Sequence, residues 1–237
     1  MNKNIFIALL SAIYLNVSAQ TEYAFHSQKG DKYFVSLGYG YGTAQWSSVF
    51  KNTEFYDKDG AVIKSGDFNF KGDSPIKYYD VNVMAPVKHV RLGLGIAFEY
   101  HYLAELKIYS QGGDAYLMFN EGMRFDKVYL QIEKPFKYDS KKKYSLSMNV
   151  KLGMFGYTNM NRFNFLGEKP YPFTCLVATG LVLDYEIYPH VYAFAIPNIE
   201  YKFYSNTHTD TPVQVIHHVF AESIQGGIRV DLGMFYN

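Results

Sequence analysis

Ser205 and the residues around it have the types that a hydrolytic site needs. A serine hydroxyl becomes a nucleophile when a base lies within hydrogen-bonding distance. His208 follows three residues later, and Glu222 lies on the next predicted strand, so the three are candidates for nucleophile, base and acidic partner. The alternative is a polar loop with surface histidines. We favour that alternative, and we assign no catalytic residue from the sequence.

Three histidines in the same region, His208, His217 and His218, are candidate metal ligands. Neighbouring residues of a strand point to opposite faces, so His217 and His218 cannot bind one ion without a bend in the chain. No cysteine or carboxylate completes a recognisable ligand spacing around them. The sequence therefore predicts no metal site and no cofactor.

Strands would have to position these side chains, and the clearest predicted strand is Val90–Tyr102. Every second residue is apolar or aromatic, and the residues between them are small or charged. A half-buried strand of a soluble protein shows such alternation over about four to eight residues. A tilted strand that crosses a bilayer needs about 9–11 residues. The length therefore favours a membrane-spanning strand.

The same alternation recurs in seven further segments, which gives about eight strands in all. They are residues 33–42, 78–85, 127–133, 144–155, 175–185, 192–204 and 224–236. Pro197 interrupts one of them and predicts a β-bulge with a change of phase, because proline cannot donate a ladder hydrogen bond.

Short and long connections alternate along the chain. The short ones are residues 85–89, 135–143 and 188–190, and the long ones are 43–75, 103–124, 158–172 and 205–214. This rhythm predicts an all-β, antiparallel up-and-down transmembrane barrel with short periplasmic turns and long extracellular loops. Asp57–Gly60 and Gln111–Asp114 are expected hairpin tips, with strands continuing beyond the bilayer. Trp46 is expected to be an interface anchor or a loop residue.

The first residues have the pattern of a secretory signal peptide. A basic start with Lys3, an apolar run over 5–15 and small residues at Val17-Ser18-Ala19 predict a signal peptide over 1–19 and a barrel domain over 20–237. Loss of Lys3 would leave 22 basic and 22 acidic residues, so nothing indicates a nucleic-acid partner. The single cysteine, Cys175, excludes an internal disulfide.

The strands of a membrane-spanning sheet must close into a barrel, because no unpaired backbone group can face hydrocarbon. About eight strands enclose only enough space for side chains or one small ligand. The charged residues on the inward phase are therefore expected to pair across the lumen and fill it. These residues are Asp80, Arg91, Glu99, Glu133, Lys151, Asp184, Arg229 and Asp231.

A soluble lipocalin-like barrel would place the apolar residues inside and the polar residues outside. Periodicity alone does not distinguish the two orientations. Aromatic residues on the aliphatic face at strand ends favour the membrane, because interfacial girdles are a membrane feature. They are Tyr33, Tyr39, Tyr41, Phe98, Tyr100, Tyr102, Tyr144 and Tyr236.

The Val17–Gln20 ending of the signal, the strand Phe34–Gly40 and a last strand close to the final residue resemble small outer-membrane β-barrel proteins of Gram-negative bacteria, of the Bacteroidetes type. The resemblance implies localisation in the cell outer membrane and contact with its lipid and lipopolysaccharide. It also implies insertion by the barrel-assembly machinery, which reads a final aromatic residue. Here Asn237 follows Tyr236, which departs from that pattern.

The size and strand count also resemble the lipid A deacylases, whose motif is a histidine, one spacer and Ser-Asn. Phe203 stands where that family has its base histidine, before Tyr204, Ser205 and Asn206. A lipid A deacylase-like acyl hydrolase that uses Ser205 is therefore one alternative function, and a soluble ligand-binding barrel is another. The leading hypothesis is a non-enzymatic, porin-like outer-membrane barrel with a side-chain-filled lumen. Its role would be structural, or would depend on an extracellular ligand that its loops bind.

Overall fold

The structure is a computed structural model that describes residues 33–56, 62–87, 89–103, 106–110, 113–117, 121–139, 143–158, 173–207 and 214–232. Ten strands account for nearly all of these residues. They are β1 Phe34–Tyr56, β2 Val62–Val87, β3 Val90–Leu103, β4 Leu106–Ser110, β5 Gly113–Leu117, β6 Glu121–Asp139, β7 Tyr144–Thr158, β8 Phe173–Tyr188, β9 Val191–Thr207 and β10 Gln214–Asp231. No helix in these ranges is long and apolar enough to span a membrane.

Eight of the strands close into an antiparallel barrel. The order around it is β1, β2, β3, β6, β7, β8, β9 and β10, and β10 pairs again with β1. The remaining two strands, β4 and β5, form a hairpin that pairs with the outer part of β2. The predicted antiparallel up-and-down barrel of eight strands is therefore confirmed.

The ladder returns to its first strand ten residues further along. From Val35 the paired residues are Val83, Leu94, Leu130, Leu152, Val177, Tyr201, Phe220 and then Gln45. A shear of ten in an eight-stranded barrel corresponds to strands tilted by roughly 40° from the barrel axis. At that tilt the interior holds side chains and leaves no open channel.

The aliphatic face of every barrel strand points outward. Leu37, Leu94 and Ile224 are 61%, 67% and 67% exposed, values that a soluble core residue never has. Their neighbours in sequence are buried in the lumen. The membrane-spanning parts of the strands are therefore about residues 34–41, 79–87, 90–98, 128–136, 144–154, 179–188, 191–199 and 224–231. The soluble, lipocalin-like alternative is wrong, because it requires the opposite orientation.

The membrane-spanning parts of the strands together form the apolar belt of the barrel. The first two strands continue far beyond this belt, as the sequence suggested. The predicted loop 43–75 is mostly strand, since β1 and β2 remain paired from Gly42↔Ile76 outward to Tyr56↔Val62. The expectation for Trp46 is wrong. It is 4% exposed and lies on the inward phase of β1, because the strand alternation continues unbroken past the membrane edge.

Pro197 does not shift the phase of its strand. It faces outward and is paired with Ile224, while Ile196 and Asn198 on either side are buried in the lumen. The ladder between β8 and β9 instead lacks pairs at Leu181 and Val182, opposite the proline that has no N–H to donate. The strand tolerates the missing hydrogen bond without a bulge, so this prediction is wrong.

Several predictions fall on residues that the structure does not describe. The signal peptide over 1–19, the hairpin tip Asp57–Gly60, His208 and the terminal pair Tyr236 and Asn237 all lie outside the described residues. They remain predictions from the sequence.

The belt gives a direct test of orientation. Replacing Leu94 with arginine puts a charge near the middle of the hydrocarbon, and we expect a loss of about 2–4 kcal/mol of unfolding free energy. Gln45→Arg is the matched control, because Gln45 faces outward above the belt and its arginine would meet water. Reversible denaturant unfolding in phospholipid vesicles measures both, and equal effects would contradict the assigned belt.

Candidate functional site

The candidate site is the lumen, where buried charges lie in three layers. We call them the lower layer at the periplasmic end, the middle layer, and the upper layer at the extracellular end. All eight charged residues that the sequence assigned to the lumen lie on the inward phase of their strands. The structure adds three more, Lys127, Glu200 and Lys202, which are also buried.

The lower layer is built around Arg229, which is fully enclosed. Its guanidinium donates to Glu133 Oε2 at 3.1 Å and to Asp184 Oδ2 at 3.0 Å. A second arginine, Arg91, pairs with Glu133 Oε1 at 2.6 Å. Arg229 Nη1 also donates to Glu133 Oε1 at 3.2 Å, and Nε donates to Ser36 Oγ at 3.1 Å. Two guanidinium groups and two carboxylates therefore form one connected network.

The middle layer is a single ion pair with a hydroxyl and an amide. Lys151 Nζ lies 3.0 Å from Asp80 Oδ2. The Tyr129 hydroxyl donates to the same oxygen at 2.6 Å, and Asn82 Nδ2 donates to Asp80 Oδ1 at 3.1 Å. The Lys151 ammonium also lies 4.5 Å from the centre of the Tyr129 ring, a cation–π contact that gains strength away from water.

The upper layer is a square of two lysines and two glutamates. Lys127 pairs with Glu99 and, at 2.6 Å, with Glu200 Oε1. Lys202 pairs with the same two glutamates at 2.6 and 2.5 Å. Each lysine thus bridges both carboxylates, and His101 Nε2 makes a further contact to Glu99.

Three of these four residues were not assigned to the lumen from the sequence, and the reason is specific. Glu200 and Lys202 follow Pro197, where the expected phase change would have turned them outward. Because β9 keeps its phase, both face the lumen. Lys127 was on the inward side of its segment, although it was not counted among the lumen charges. An unbroken parity count through the proline would have found Glu200 and Lys202.

Each layer is electrically balanced on its own. The lower layer has Arg91 and Arg229 against Glu133 and Asp184, the middle layer has one lysine and one aspartate, and the upper layer has two of each sign. A buried unpaired charge would be strongly destabilising. Local neutrality is what permits this many buried ions in a narrow lumen.

Asp231 lies apart from the three layers at the periplasmic mouth. Its Oδ2 atom is 3.5 Å from Nδ1 of His190, which is in the β8–β9 turn and is half-exposed. The sequence grouped Asp231 with the lumen charges, and the structure places it at their entrance.

Aromatic rings cover the extracellular side of the upper layer. Trp46, His101, Phe125 and His217 are all buried, and their ring centres lie 4.5 to 6.1 Å apart where they are neighbours. We call these four side chains the aromatic cap. The cap lies beyond the membrane edge and closes the lumen on the extracellular side.

A hydrogen-bond chain connects the cap to the upper layer and fixes the tautomer of His101. Trp46 Nε1 can only donate, and it donates to Ser74 Oγ at 3.0 Å. Ser74 Oγ is also 3.0 Å from His101 Nδ1. Because Glu99 is an acceptor, the neutral His101 ring must carry its hydrogen on Nε2 and accept from Ser74 at Nδ1.

The residues proposed for hydrolysis are not brought together as a group. Ser205 faces outward and is paired with Ile216, whereas Glu222 lies six residues further along β10, about 20 Å away. His217 faces the lumen and His218 faces outward, as strand alternation requires. Among the described residues, no three His, Cys, Asp or Glu side chains form a possible metal site.

His218 is the described histidine nearest to Ser205 on the outer surface. It is paired with Phe203, so Tyr201 and Ser205 are its two diagonal neighbours on β9. The Tyr201 hydroxyl lies 2.6 Å from His218 Nδ1. This contact orients the imidazole ring of His218.

The fold is similar to those of solved outer-membrane proteins. The outer membrane protein OprG from Pseudomonas aeruginosa has a TM-score of 0.53 at 11% sequence identity, with 85% of this chain and 96% of OprG covered. Neisserial surface protein A has a TM-score of 0.47 at 12% identity, with 86% and 100% covered. No protein family and no curated protein matches the sequence. The likeness to OprG shows the fold, and with the apolar belt it assigns the chain to the outer membrane.

The lower layer predicts a large difference between two isosteric substitutions. Glu133→Gln removes the carboxylate that both Arg91 and Arg229 share, and we expect a loss of about 3–5 kcal/mol of unfolding free energy. Asp126→Asn is the matched control, because the Asp126–Arg124 pair at 2.7 Å is about 40% exposed and should contribute only about 0–1 kcal/mol. Denaturant unfolding in vesicles measures both, and similar losses would contradict a buried network.

The aromatic cap predicts that acid weakens the fold. Burial lowers the pKa of the His217 imidazole to about 3, and the neighbouring His218 acts in the same direction. The unfolded chain has an ordinary histidine pKa of about 6.5, so between these values the unfolded state binds more protons. Stability is therefore complete above pH 6.5 and falls as the pH decreases towards 3.

The variant that tests this is His217→Gln, which can keep a polar contact with Ser48 but does not titrate. Between pH 7 and pH 5 we expect its unfolding free energy to fall less than that of the wild type. Urea titrations at the two pH values give the comparison, and parallel losses in both proteins would show that His217 is not responsible.

Proposed function

We propose that this protein is a non-enzymatic outer-membrane barrel that is closed to solutes and acts through its extracellular surface. The observation that supports this most directly is the stack of three balanced charge layers across the lumen. A solute would have to separate buried ion pairs in every layer, and each broken pair leaves uncompensated charges at high cost. The aromatic cap adds a further barrier at the extracellular end.

The parts of the strands beyond the membrane support a surface role. β1 and β2 extend as a paired ribbon past the row Tyr41↔Lys77, and the β4–β5 hairpin adds to the edge of β2. Outward positions on β1 change there from tyrosine to polar residues, namely Thr43, Gln45 and Ser47. A hydrated, extended sheet of this kind is suited to hold binding loops away from the membrane, or to strengthen the envelope.

The finer assignments also stay proposals. We infer that the chain is of the Bacteroidetes type, that it is exported by the signal over 1–19, and that the barrel-assembly machinery inserts it. Lipopolysaccharide is its proposed neighbour in the outer leaflet. The aromatic row at the belt edge, which includes Tyr41 and Tyr100 beside Lys77, supports this through its combination of rings and positive charge.

Closure of the lumen can be measured with reconstituted protein. Proteoliposomes containing the wild type should swell in a small sugar at the rate of protein-free vesicles, because no path crosses the three layers. Vesicles with an open porin provide the positive control. Porin-like swelling of the wild type would contradict a closed barrel.

The structural role and the surface-interaction role predict different results when a deletion strain is complemented with a shortened variant. A strain that lacks the gene would be complemented with the full protein or with a variant in which residues 51–66 are replaced by a short turn. A structural role predicts that both restore the outer-membrane barrier to a hydrophobic dye. A surface-interaction role predicts that the shortened variant inserts normally but does not restore the wild-type phenotype to the deletion strain, because the strand extensions that carry the binding loops are missing.

A second candidate function is acyl hydrolysis of lipid A by Ser205. One observation favours it: Ser205 lies on the outer face of the barrel near its extracellular end, diagonal to a histidine that Tyr201 orients. In this arrangement His218 would be the base in place of His208, and Glu222 is too distant to be the acidic partner. An enzyme of this kind would act from the barrel exterior, six residues beyond the membrane-spanning part of β9.

Mass spectrometry of lipid A distinguishes the two functions. Lipid A from cells with the wild type, with Ser205→Ala and without the gene should be identical if the barrel is non-enzymatic. If lipid A loses one acyl chain in cells with the wild type, but not in cells with Ser205→Ala or without the gene, the protein is a hydrolase. Thr43→Ala is the matched control, because it also removes a hydroxyl group from the outer face of the barrel.

A further inference from the structure

Between the lower layer and the upper layer, carboxamide side chains surround the Lys151–Asp80 ion pair of the middle layer. Asn82, Gln131, Asn149, Asn198 and Gln225 all face inward, and each is at most 6% exposed. We call these five residues the carboxamide layer. Glycines lie between them in the ladder: Gly180 pairs with both Asn149 and Asn198, Gly95 pairs with Asn82, and Gly93 pairs with Gln131.

The carboxamide layer contains six polar atoms that no described residue satisfies. They are Asn82 Oδ1, Gln131 Oε1, Asn149 Oδ1 and Nδ2, Asn198 Oδ1 and Gln225 Nε2. A buried amide group without a hydrogen bond loses its hydration and gains nothing in return. Native proteins leave few such groups, so six within one narrow layer indicate a bound molecule.

The neighbouring ion pairs fix the direction of three of these amides. Asn82 uses its NH₂ on Asp80 at 3.1 Å, and Gln131 uses its NH₂ on Glu133 at 3.4 Å. Gln225 accepts from Lys151 through Oε1 at 3.5 Å. Two free carbonyl oxygens and one free NH₂ therefore remain. Turning an amide over would bring its oxygen against a carboxylate or its NH₂ against an ammonium.

The chemistry of the layer selects its ligand. Both donors and acceptors are free, so a molecule that only donates or only accepts would leave some of them unpaired. The charges of the adjacent layers are already compensated, so nothing there attracts an ion. The ligand must be small, neutral and able both to donate and to accept.

We propose that the carboxamide layer is a buried binding site for water. Six free polar atoms correspond to about two water molecules, if each makes about three hydrogen bonds to the protein. These waters bridge the unpaired amide atoms of Asn149 to those of Asn198 and Gln131. The lumen is then a sealed, hydrated compartment, and its middle is held together through water.

This inference does not depend on the proposed function, because a closed barrel or an enzyme acting on the outer face could contain the same site. The test uses the full barrel in lipid bilayers, labelled uniformly with ¹³C and ¹⁵N, and proton-detected magnetisation transfer from water. The expected result is a water cross-peak from the unpaired Asn149 NH₂ group, and one from the Asn198 NH₂ group through a water bound at the neighbouring Oδ1 atom. The half-exposed His190 ring provides the positive control, and the lipid-facing Leu94 methyl groups provide the negative control.

Asn149→Leu tests whether the amides share one site. Leucine fills the space and removes two of the six polar atoms, so the water cross-peak of Asn198 should disappear while that of His190 remains. If this variant does not fold, as judged by heat-modifiable gel mobility, Asn198→Leu provides the reciprocal test at Asn149. Absence of water contact at both asparagines in the wild type would overturn the proposal, as would a full Asn198 cross-peak in folded Asn149→Leu.

Discussion

Hydrocarbon offers no hydrogen bonds to a polypeptide backbone, and the rest of this structure depends on that constraint. Eight strands must pair with one another until the last meets the first, as β10 meets β1 here. Closure fixes the two environments of each strand. Every second residue faces lipid and must be apolar, and its neighbour faces a narrow interior shared by all eight strands. The unbroken alternation from Val90 to Tyr102 is the direct result.

The interior allows many ionised groups because they are compensated locally. Arg229 illustrates this: it has two carboxylates and a serine hydroxyl as partners, all contributed by other strands. Such pairs add little net stability over apolar packing, but breaking one is costly. The ion pairs therefore make the barrel specific in its register, because slipping one strand by a residue would turn its charge into lipid. The same pairs close the lumen, so packing and impermeability have one physical origin.

The extracellular end follows a different logic. Beyond the belt the strands no longer need an apolar outer face, and β1 changes to Thr43, Gln45 and Ser47 on that side. The inner face keeps its phase, so Trp46 enters the lumen and packs on His101 and Phe125. The cap is thus a small soluble-type core built on top of a membrane barrel. A function that acts outside the cell can use this part of the sheet while the transmembrane part stays sealed.

Much of the fold could be predicted because strand alternation is a local property with a period of two. Strand number, orientation and the inward positions of Asp80, Glu133 and Arg229 followed from counting residues. The prediction failed where a local signal was overinterpreted. Pro197 suggested a bulge, yet the paired strands on both sides hold β9 in phase, and Glu200 and Lys202 remain in the lumen. A proline removes one hydrogen bond, and the many other pairs of the strand compensate for it.

The sequence by itself determined the class of the protein: a closed, membrane-spanning barrel with apolar residues outside and charges inside. The tertiary structure alone decided which charges meet. The partners of Lys127 lie on β3 and β9. Asn149 and Asn198 are neighbours in the lumen only because the registers of β7, β8 and β9 pair both of them with Gly180. Alternation is set by neighbouring residues along one strand, whereas contacts across the lumen depend on the register of all eight strands together.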